Sequence, residues 1–253
     1  MADTTIKSVV CDIDGVLLHN NRPLPGAAEF VTRLRNSGVP YLLLTNYPSM
    51  TPQDLQNRFA QAGLDVPPDR FYTSAMATAS FLERQDGRRA YVIGEGALTH
   101  ELYQIGFTVT DQNPDFVVVG ETRAYHWEMI HKAARLIRAG ARFIATNPDK
   151  AGPDSQPACG ALCAPIERIT GRSPFYVGKP SPWIMRAALN SIDAHSEDSI
   201  IIGDNMSTDI LAGTQAGMRT ALVLSGVTQQ EELVQHPFKP HWVFPGVGEI
   251  DLI

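Results

Sequence analysis

Two aspartates separated by a single residue, Asp12 and Asp14, follow a short apolar run near the start of the chain. Side chains two positions apart on an extended chain point to the same side, so the two carboxylates can converge on one spot. One of them can act as a nucleophile and the other as a general acid or base. By itself such a pair is more typical of a solvated turn or a helix N-cap. The residues that follow the other predicted strands distinguish between these alternatives.

Three further predicted strands also end in polar residues. The first is followed by Thr45 and Asn46, the second by Lys179, and the third by Asp204, with Asp209 five residues later. If these strands are neighbours of the first in one parallel sheet, all the polar side chains meet at its carboxyl edge. Ligands bind at this edge in open α/β sheets. The sequence therefore predicts one composite site.

This set of side chains suits phosphoryl transfer. Asp12 can attack phosphorus to form an aspartyl-phosphate, and Asp14 can protonate the leaving alcohol and later activate water. Positioning and charge stabilisation of the phosphoryl oxygens do most of the work in such reactions. The groups predicted to hold these oxygens are a hydroxyl, an amide and a cation, those of Thr45, Asn46 and Lys179. Asp204 and Asp12 together predict an oxygen-rich magnesium site.

The elements that must position these residues read as alternating strands and helices. The strands that lead into them are predicted over 6–11, 39–44, 175–177 and 199–202. Apolar runs of this kind are typical of strands buried in a parallel sheet. A helical stripe that ends at Gly38 separates the first two strands, which predicts a right-handed parallel crossover. The fold class is therefore predicted as α/β.

Composition narrows the class of protein. The chain has 253 residues, a net charge of −6, 43% hydrophobic and 19% charged residues, as in soluble globular proteins. Its length fits one domain with a sizeable insertion.

No basic patch indicates a nucleic acid polymer as partner, and no apolar run is long enough to predict a membrane span. Three cysteines are too few for a disulfide framework, and residues 1–5 do not resemble the start of a signal peptide. A cytoplasmic location is expected.

Four motifs together resemble those of the haloacid dehalogenase (HAD) superfamily. They are Asp12-Ile13-Asp14-Gly15-Val16, Thr45 at a strand end, Lys179, and Gly203-Asp204-Asn205 followed by Asp209. Four longer segments are similar to the NagD-like branch, and this similarity runs nearly end to end: 44–49, 72–75, 145–149 and 178–182. The resemblance implies a Rossmann-like parallel-sheet core with an α/β cap of the C2 type inserted between the second and third motifs. We place the core at 1–82 and 177–253 and the cap at 83–176.

The resemblance also implies roles for individual residues. Asp12 is the nucleophile, Asp14 the general acid/base, and Thr45 and Lys179 hold the phosphoryl group. Magnesium is bound by Asp12, by the backbone carbonyl of Asp14 and by Asp204, with Asp209 in support. Further candidates for binding the substrate come from the cap and from the segment after Asp204: Asn147, Asp149, Asn205, Met206, Ser207 and Thr208. An ordinary turn remains the alternative for the two cap residues.

The function implied is that of a magnesium-dependent phosphatase for small phosphate monoesters, with nucleoside 5′-monophosphates as the favoured substrates. The second acid, Asp14, favours phosphatase over dehalogenase activity. One alternative is a phosphatase of sugar phosphates or other small phosphorylated metabolites. Another, of a different class, is a non-catalytic phosphate-binding or regulatory protein on the same fold. The formation of a homo-oligomer is left open, since a cap of this size could contribute to dimer contacts.

Overall fold

The chain divides into two units in a computed structural model that describes residues 6–152 and 155–251. The first unit comprises Met1–Thr45, Pro52–Tyr72 and Lys179–Ile253, and the second comprises Asn46–Thr51 and Thr73–Gly178. The prediction about a signal peptide concerns residues 1–5 and lies outside the described residues. Within the described ranges, no helix is both long enough and apolar enough to cross a membrane.

The secondary structure alternates between strands and helices, as predicted. The strands are β1 (Ser8–Asp12), β2 (Leu18–His19), β3 (Arg22–Pro23), β4 (Tyr41–Thr45), β5 (Phe71–Thr73), β6 (Arg89–Ile93), β7 (Thr108–Val109), β8 (Phe116–Val119), β9 (Arg142–Ala145), β10 (Phe175–Tyr176), β11 (Ser199–Gly203), β12 (Arg219–Val223) and β13 (Trp242–Phe244). The helices are α1 (Ala27–Asn36), α2 (Pro52–Gln61), α3 (Ser74–Glu83), α4 (Gly96–Gln104), α5 (Trp127–Arg138), α6 (Cys159–Thr170), α7 (Pro182–Ser191) and α8 (Leu211–Ala216).

The first unit is built on a six-stranded sheet with the order β13-β12-β11-β1-β4-β5. Strand β1 lies in the middle and pairs in parallel with β11 on one side and β4 on the other. All residues of β1, β4 and β11 are buried, which explains why each reads as a continuous apolar run. The register places Asp12 opposite Leu44 and Cys11 opposite Ile202. The carboxyl ends of the three strands are therefore level with one another.

The second unit contains its own parallel sheet of five strands, in the order β10-β9-β8-β6-β7. Helices α5 and α6 pack against it, and their apolar faces form a common core with β8 and β9. Ala133, Ala134, Leu136 and Ile137 of α5 are buried there, so the apolar stripe of this helix serves packing. The second unit is thus an α/β structure in its own right.

The strand before Lys179 does not lie in the sheet of β1. It was predicted beside β1 only on the condition that all four strands share one sheet, and the predicted cap over 83–176 already contained its residues. β10 pairs with β9 in the sheet of the second unit, where Phe175 lies opposite Ile144. The ring of Phe175 also stacks on Phe81, with ring centroids 4.7 Å apart. These contacts hold the strand in the second unit. Lys179 itself, three residues after β10, belongs to the first unit.

The chain passes between the two compact units at Tyr72/Thr73 and at Gly178/Lys179, and the domain bounds placed at 82/83 and 176/177 stay a prediction. Helix α3 falls in the second unit together with Asn46–Thr51, and it contacts α4. Thr73 caps α3 by accepting a hydrogen bond from the Met76 amide at 3.2 Å. An N-cap marks where a helix begins, and this helix begins in the second unit.

The turn-rich stretch after Gly15 contains a small hairpin of β2 and β3. Its two turn residues, Asn20 and Asn21, have φ angles of 47° and 61°. A two-residue hairpin of type I′ requires positive φ at both positions, and asparagine tolerates this conformation better than most residues. The hairpin is tied to the end of β1, because the Gly15 amide donates to the Leu18 carbonyl at 2.8 Å.

Candidate active site

Three predicted site residues lie at the level carboxyl ends of the central strands. Asp12 and Thr45 are the last residues of β1 and β4, and Asp204 directly follows β11. All three are buried. The parallel register described above brings these ends to one edge of the sheet, as the sequence predicts.

Lys179 is the cation of the site. Its Nζ atom lies 2.6 Å from Oδ1 of Asp12 and 2.7 Å from Oδ1 of Asp209, and the side chain is only 3% exposed. Burial disfavours the ammonium form, but the two carboxylates outweigh this and raise the pKa of Lys179. The lysine is therefore charged and bridges two aspartates that would otherwise repel each other.

Asp204 is held by the loop that follows β12. Its Oδ2 atom accepts a hydrogen bond from the Val227 amide at 2.7 Å. A Cβ atom on either Gly15 or Gly226 would overlap the Asp204 carboxylate, so both positions need glycine. Gly15 also has a φ of +86°, which glycine adopts without strain. Burial, and then the charge of Asp209, raise the pKa of Asp204 to about 7.

Asp209 is placed by a single turn of π-helix over Met206–Ile210. Its Oδ2 atom accepts hydrogen bonds from the Asn205 amide at 3.1 Å and the Thr208 hydroxyl at 3.3 Å. With Oδ1 on Lys179, both carboxylate oxygens have donors. Asp209 thus orients the lysine and fixes the segment after Asp204.

The donor set fits a hard divalent cation. Asp12, Asp204 and Asp209 each offer a carboxylate oxygen, and these oxygens lie within 4.8 Å of one another in a buried group. Three carboxylates face one ammonium, so an added cation would relieve their repulsion. Magnesium and calcium prefer such oxygen ligands. Three of the four predicted metal-binding residues therefore come together through their side chains, whereas the fourth, Asp14, is predicted to contribute its backbone carbonyl.

Asp14 is paired with a residue that was not predicted from the sequence. Its Oδ1 atom accepts a hydrogen bond from Nη2 of Arg58 at 2.6 Å. Arg58 lies on α2, next to the buried Phe59. In the sequence it reads as an ordinary polar position of an amphipathic helix, and no motif marks it.

Asn46, Asn147 and Asp149 bind one another within the second unit. Asn46 donates through Nδ2 to Asp149 Oδ2 at 2.9 Å, and Asn147 donates to the Asn46 carbonyl at 2.8 Å. The Asn147 Oδ1 atom also accepts from the Asp149 amide at 3.0 Å, which is the hydrogen bond of an Asx turn. The turn considered as the alternative for Asn147 and Asp149 is therefore present. A role in substrate binding stays a prediction for these three residues.

The segment after Asp204 offers both buried and accessible groups. Asn205 accepts a hydrogen bond from the Ser207 amide at 2.8 Å, and Ser207 is exposed. Thr208 is partly exposed. The side chain of Met206 is buried with Ile210 and Leu222, so the Met206 side chain serves packing. Substrate binding by Asn205, Met206, Ser207 and Thr208 stays a prediction.

Comparison with known proteins agrees with this geometry. The sequence profile of haloacid dehalogenase-like hydrolases matches residues 9–108, and that of HAD-hydrolase-like proteins matches residues 176–250. The chain is 66% identical to the ribonucleotide monophosphatase NagD of Escherichia coli K12 over 249 residues, which covers 98% of this chain and all of the relative. The chain belongs to the haloacid dehalogenase-like hydrolase family.

Other relatives support the same family. The dihydroxyacetone phosphatase of Corynebacterium glutamicum is 46% identical and matches 96% of this chain and 90% of its own length. The solved structure of NagD from E. coli K-12 is 65% identical, covers 98% of this chain and 100% of its own, and superposes with a TM-score of 0.97. The chain is therefore an enzyme with the HAD fold, a phosphatase of the NagD-like branch.

Three residues that contact predicted site residues were missed from the sequence. Arg58, Gly226 and Val227 contact predicted site residues but carry no sequence signal of their own. Gly226 and Val227 follow the largely buried strand β12, and the apolar run of that strand could have drawn attention to the residues after its end.

Proposed function

We propose that this enzyme is a magnesium-dependent phosphatase that hydrolyses small phosphate monoesters through an aspartyl-phosphate on Asp12, with nucleoside 5′-monophosphates as favoured substrates. The observation that carries the proposal is the buried group in which Lys179 bridges Asp12 and Asp209 beside Asp204. This group combines a nucleophilic carboxylate, a fixed positive charge and a set of oxygen ligands. All three are what phosphoryl transfer requires.

The first step uses Asp12 and Asp14. Because Lys179 binds Oδ1 of Asp12, Oδ2 is the oxygen that attacks phosphorus. The bond between phosphorus and the ester oxygen breaks, and Asp14 delivers a proton to that oxygen as the alcohol leaves. Lys179 then lies close to the phosphoryl oxygens and stabilises their charge.

The second step returns the enzyme to its starting state. Asp14, now a carboxylate, accepts a proton from a water molecule that attacks the phosphorus of the aspartyl-phosphate. The bond to Asp12 breaks and inorganic phosphate is released. Asp12, Asp204 and Asp209, with the Asp14 carbonyl, would hold the magnesium ion, which supplies charge neutralisation for the phosphoryl group.

The substrate class rests on relatives. NagD of E. coli, at 66% identity, is named as a ribonucleotide monophosphatase, and we extend that class to this chain. The relative at 46% identity is named as a dihydroxyacetone phosphatase, which keeps small sugar phosphates as the second candidate class. A cytoplasmic location is part of the proposal, because all three cysteines are free thiols, as is usual in a reducing compartment.

A panel of phosphate esters tests the proposed substrate class. The enzyme is assayed with magnesium against ribonucleoside 5′-monophosphates, triose and hexose phosphates and p-nitrophenyl phosphate, and the substrates are ranked by kcat/KM. We expect nucleoside monophosphates at the top of the ranking. Sugar phosphates at the top would move the assignment to the second class. No hydrolysis of any ester would favour a phosphate-binding protein.

A further inference from the structure

The side chain of Arg58 on α2 contacts both Asp14, the proposed acid/base, and Asn21 in the hairpin turn. Its Nη2 atom donates to Asp14 Oδ1 at 2.6 Å, and its Nε atom donates to Asn21 Oδ1 at 2.7 Å. The arginine side chain is only 15% exposed, whereas that of Asp14 is 42% exposed. The mostly buried arginine side chain thus holds the more exposed carboxyl group.

The second contact ties Arg58 to the hairpin. Asn21 is a turn residue between β2 and β3 with a φ of 61°, and the hairpin joins Asp14 through the bridge between Asp14 and Leu18. Arg58 therefore approaches from α2, while the hairpin holds the backbone of Asp14. The planar, forked guanidinium can contact both Asp14 and Asn21 at fixed angles, which a lysine ammonium cannot do as well.

We propose that Arg58 is a positioning residue that fixes the Asp14 carboxyl group for proton transfer to the leaving alcohol. General acid catalysis requires the acid within hydrogen-bond distance of the oxygen that receives the proton. Arg58 binds Oδ1, so Oδ2 is the oxygen that carries and delivers the proton. The guanidinium can donate to Oδ1 in either protonation state, because the carbonyl oxygen of a carboxylic acid also accepts hydrogen bonds. The inference rests on the proposed function.

The leaving group provides a selective test. In the first step, Asp12 Oδ2 forms a bond to phosphorus, the ester P–O bond breaks, and the Asp14 proton moves to the departing oxygen. A nucleoside 5′-monophosphate loses an alkoxide-like oxygen, a strong base that needs this proton. By contrast, p-nitrophenolate is a weak base and leaves without help. A mispositioned acid therefore impairs the first substrate much more than the second.

The experiment compares kcat/KM for adenosine 5′-monophosphate and p-nitrophenyl phosphate in the full-length enzyme with magnesium. This constant reports on the steps up to loss of the alcohol, so it isolates the proton transfer of the first step. In Arg58→Gln we expect a loss of about 10- to 100-fold with the nucleotide, part of the usual contribution of general acid catalysis. With p-nitrophenyl phosphate we expect little change. Arg58→Lys should restore part of the nucleotide activity.

Two further variants control for folding and for charge. Asn21→Gly keeps a residue that tolerates positive φ but removes the second contact of Arg58, and we expect a smaller loss with the same preference for p-nitrophenyl phosphate. Arg35→Gln breaks a surface pair with Asp65, whose atoms lie 2.5 Å apart, and should leave both constants unchanged.

The outcomes separate this inference from the proposed function. Equal losses with both esters in Arg58→Gln, no loss, or a gain with the nucleotide would each overturn the positioning role. Asp14→Asn is measured alongside as the reference for a missing acid. If Asp14→Asn impairs the nucleotide selectively and Arg58→Gln does not, the mechanism stands and the inference fails. If Asp14→Asn shows no selectivity, the acid assignment itself fails.

Discussion

Lys179 Nζ lies 2.6 Å from Oδ1 of Asp12, and both side chains are largely buried. The contact joins residues 167 positions apart in the chain. The contact therefore depends on the tertiary structure of the first unit and not on local sequence. Loss of the lysine would leave the buried Asp12 carboxylate without this counterion.

Removal of the lysine charge should destabilise the fold. Lys179→Met leaves the carboxylates of Asp12 and Asp209 buried without their cation, and loss of one partner of a buried pair costs about 3–5 kcal/mol. Urea unfolding without magnesium measures the change. Lys7→Met is the matched control, because Lys7 pairs with Asp198 at 2.9 Å on the surface, and such pairs contribute about 0–1 kcal/mol. Equal effects of the two substitutions would contradict a buried, charged Lys179.

Magnesium should raise both activity and stability. Treatment with EDTA is expected to abolish phosphatase activity, and added magnesium to restore it. A ligand that binds only the folded state stabilises it by about 2.7 kcal/mol at ~100 times its Kd, so Tm should also rise. Asp204→Asn removes one of the three clustered carboxylates and should lose both responses. Full activity of the wild type in EDTA would refute the metal site.

The central sheet and most of the site could be predicted because the information is local. The buried parallel strands β1, β4 and β11 leave continuous apolar runs, and polar residues at their ends are conspicuous against them. The order of polar and apolar residues along one strand is enough to place Asp12, Thr45 and Asp204 at a sheet edge.

What could not be predicted depends on contacts between distant segments. The apolar run of β10 does not distinguish it from the other strands; the family resemblance placed it in the cap, and its pairing with β9 assigns it to the second sheet. Arg58 occupies an ordinary helical position, and only the folded hairpin and β1 bring Asp14 and Asn21 to it. The short strand β5 was also not predicted, since three residues carry too little periodicity.

Gly226 should tolerate no side chain. A Cβ atom there would overlap Oδ2 of Asp204, so Gly226→Ala must displace the carboxylate or the loop. We expect weaker magnesium binding, measured as a higher magnesium concentration for half-maximal activity. Gly96→Ala is the control, because no atom lies within 4 Å of a Cβ at that position. Unchanged magnesium dependence in Gly226→Ala would show that the loop does not position Asp204.

Glu121 should make the stability of the chain depend on pH. Burial raises its pKa to about 7, although the Asn147 amide opposes the shift. The folded state therefore binds the proton more tightly than the unfolded state, whose pKa is near 4.5. The stability that this proton contributes is present below the unfolded pKa and is lost as the pH rises through about 7.

Replacement of Glu121 by glutamine should remove this dependence of stability on pH. At pH 8, the free energy of unfolding of Glu121→Gln, measured with urea, should exceed that of the wild type by up to about 3 kcal/mol. At pH 4 the two proteins should differ little. Glu128→Gln, at an exposed position of α5, should change stability by less than about 0.5 kcal/mol at either pH. A Glu121→Gln effect that is the same at both pH values would contradict the raised pKa.

The most direct test of the account is the activity of Asp12→Asn. The substitution preserves the volume of the side chain but removes the carboxylate that attacks phosphorus. Hydrolysis of p-nitrophenyl phosphate with saturating magnesium should fall by more than ~10³-fold, while circular dichroism shows a folded protein. Asp198→Asn, at the surface pair with Lys7, should retain the wild-type rate. Hydrolysis by Asp12→Asn at the wild-type rate would contradict the assignment of Asp12 as the nucleophile.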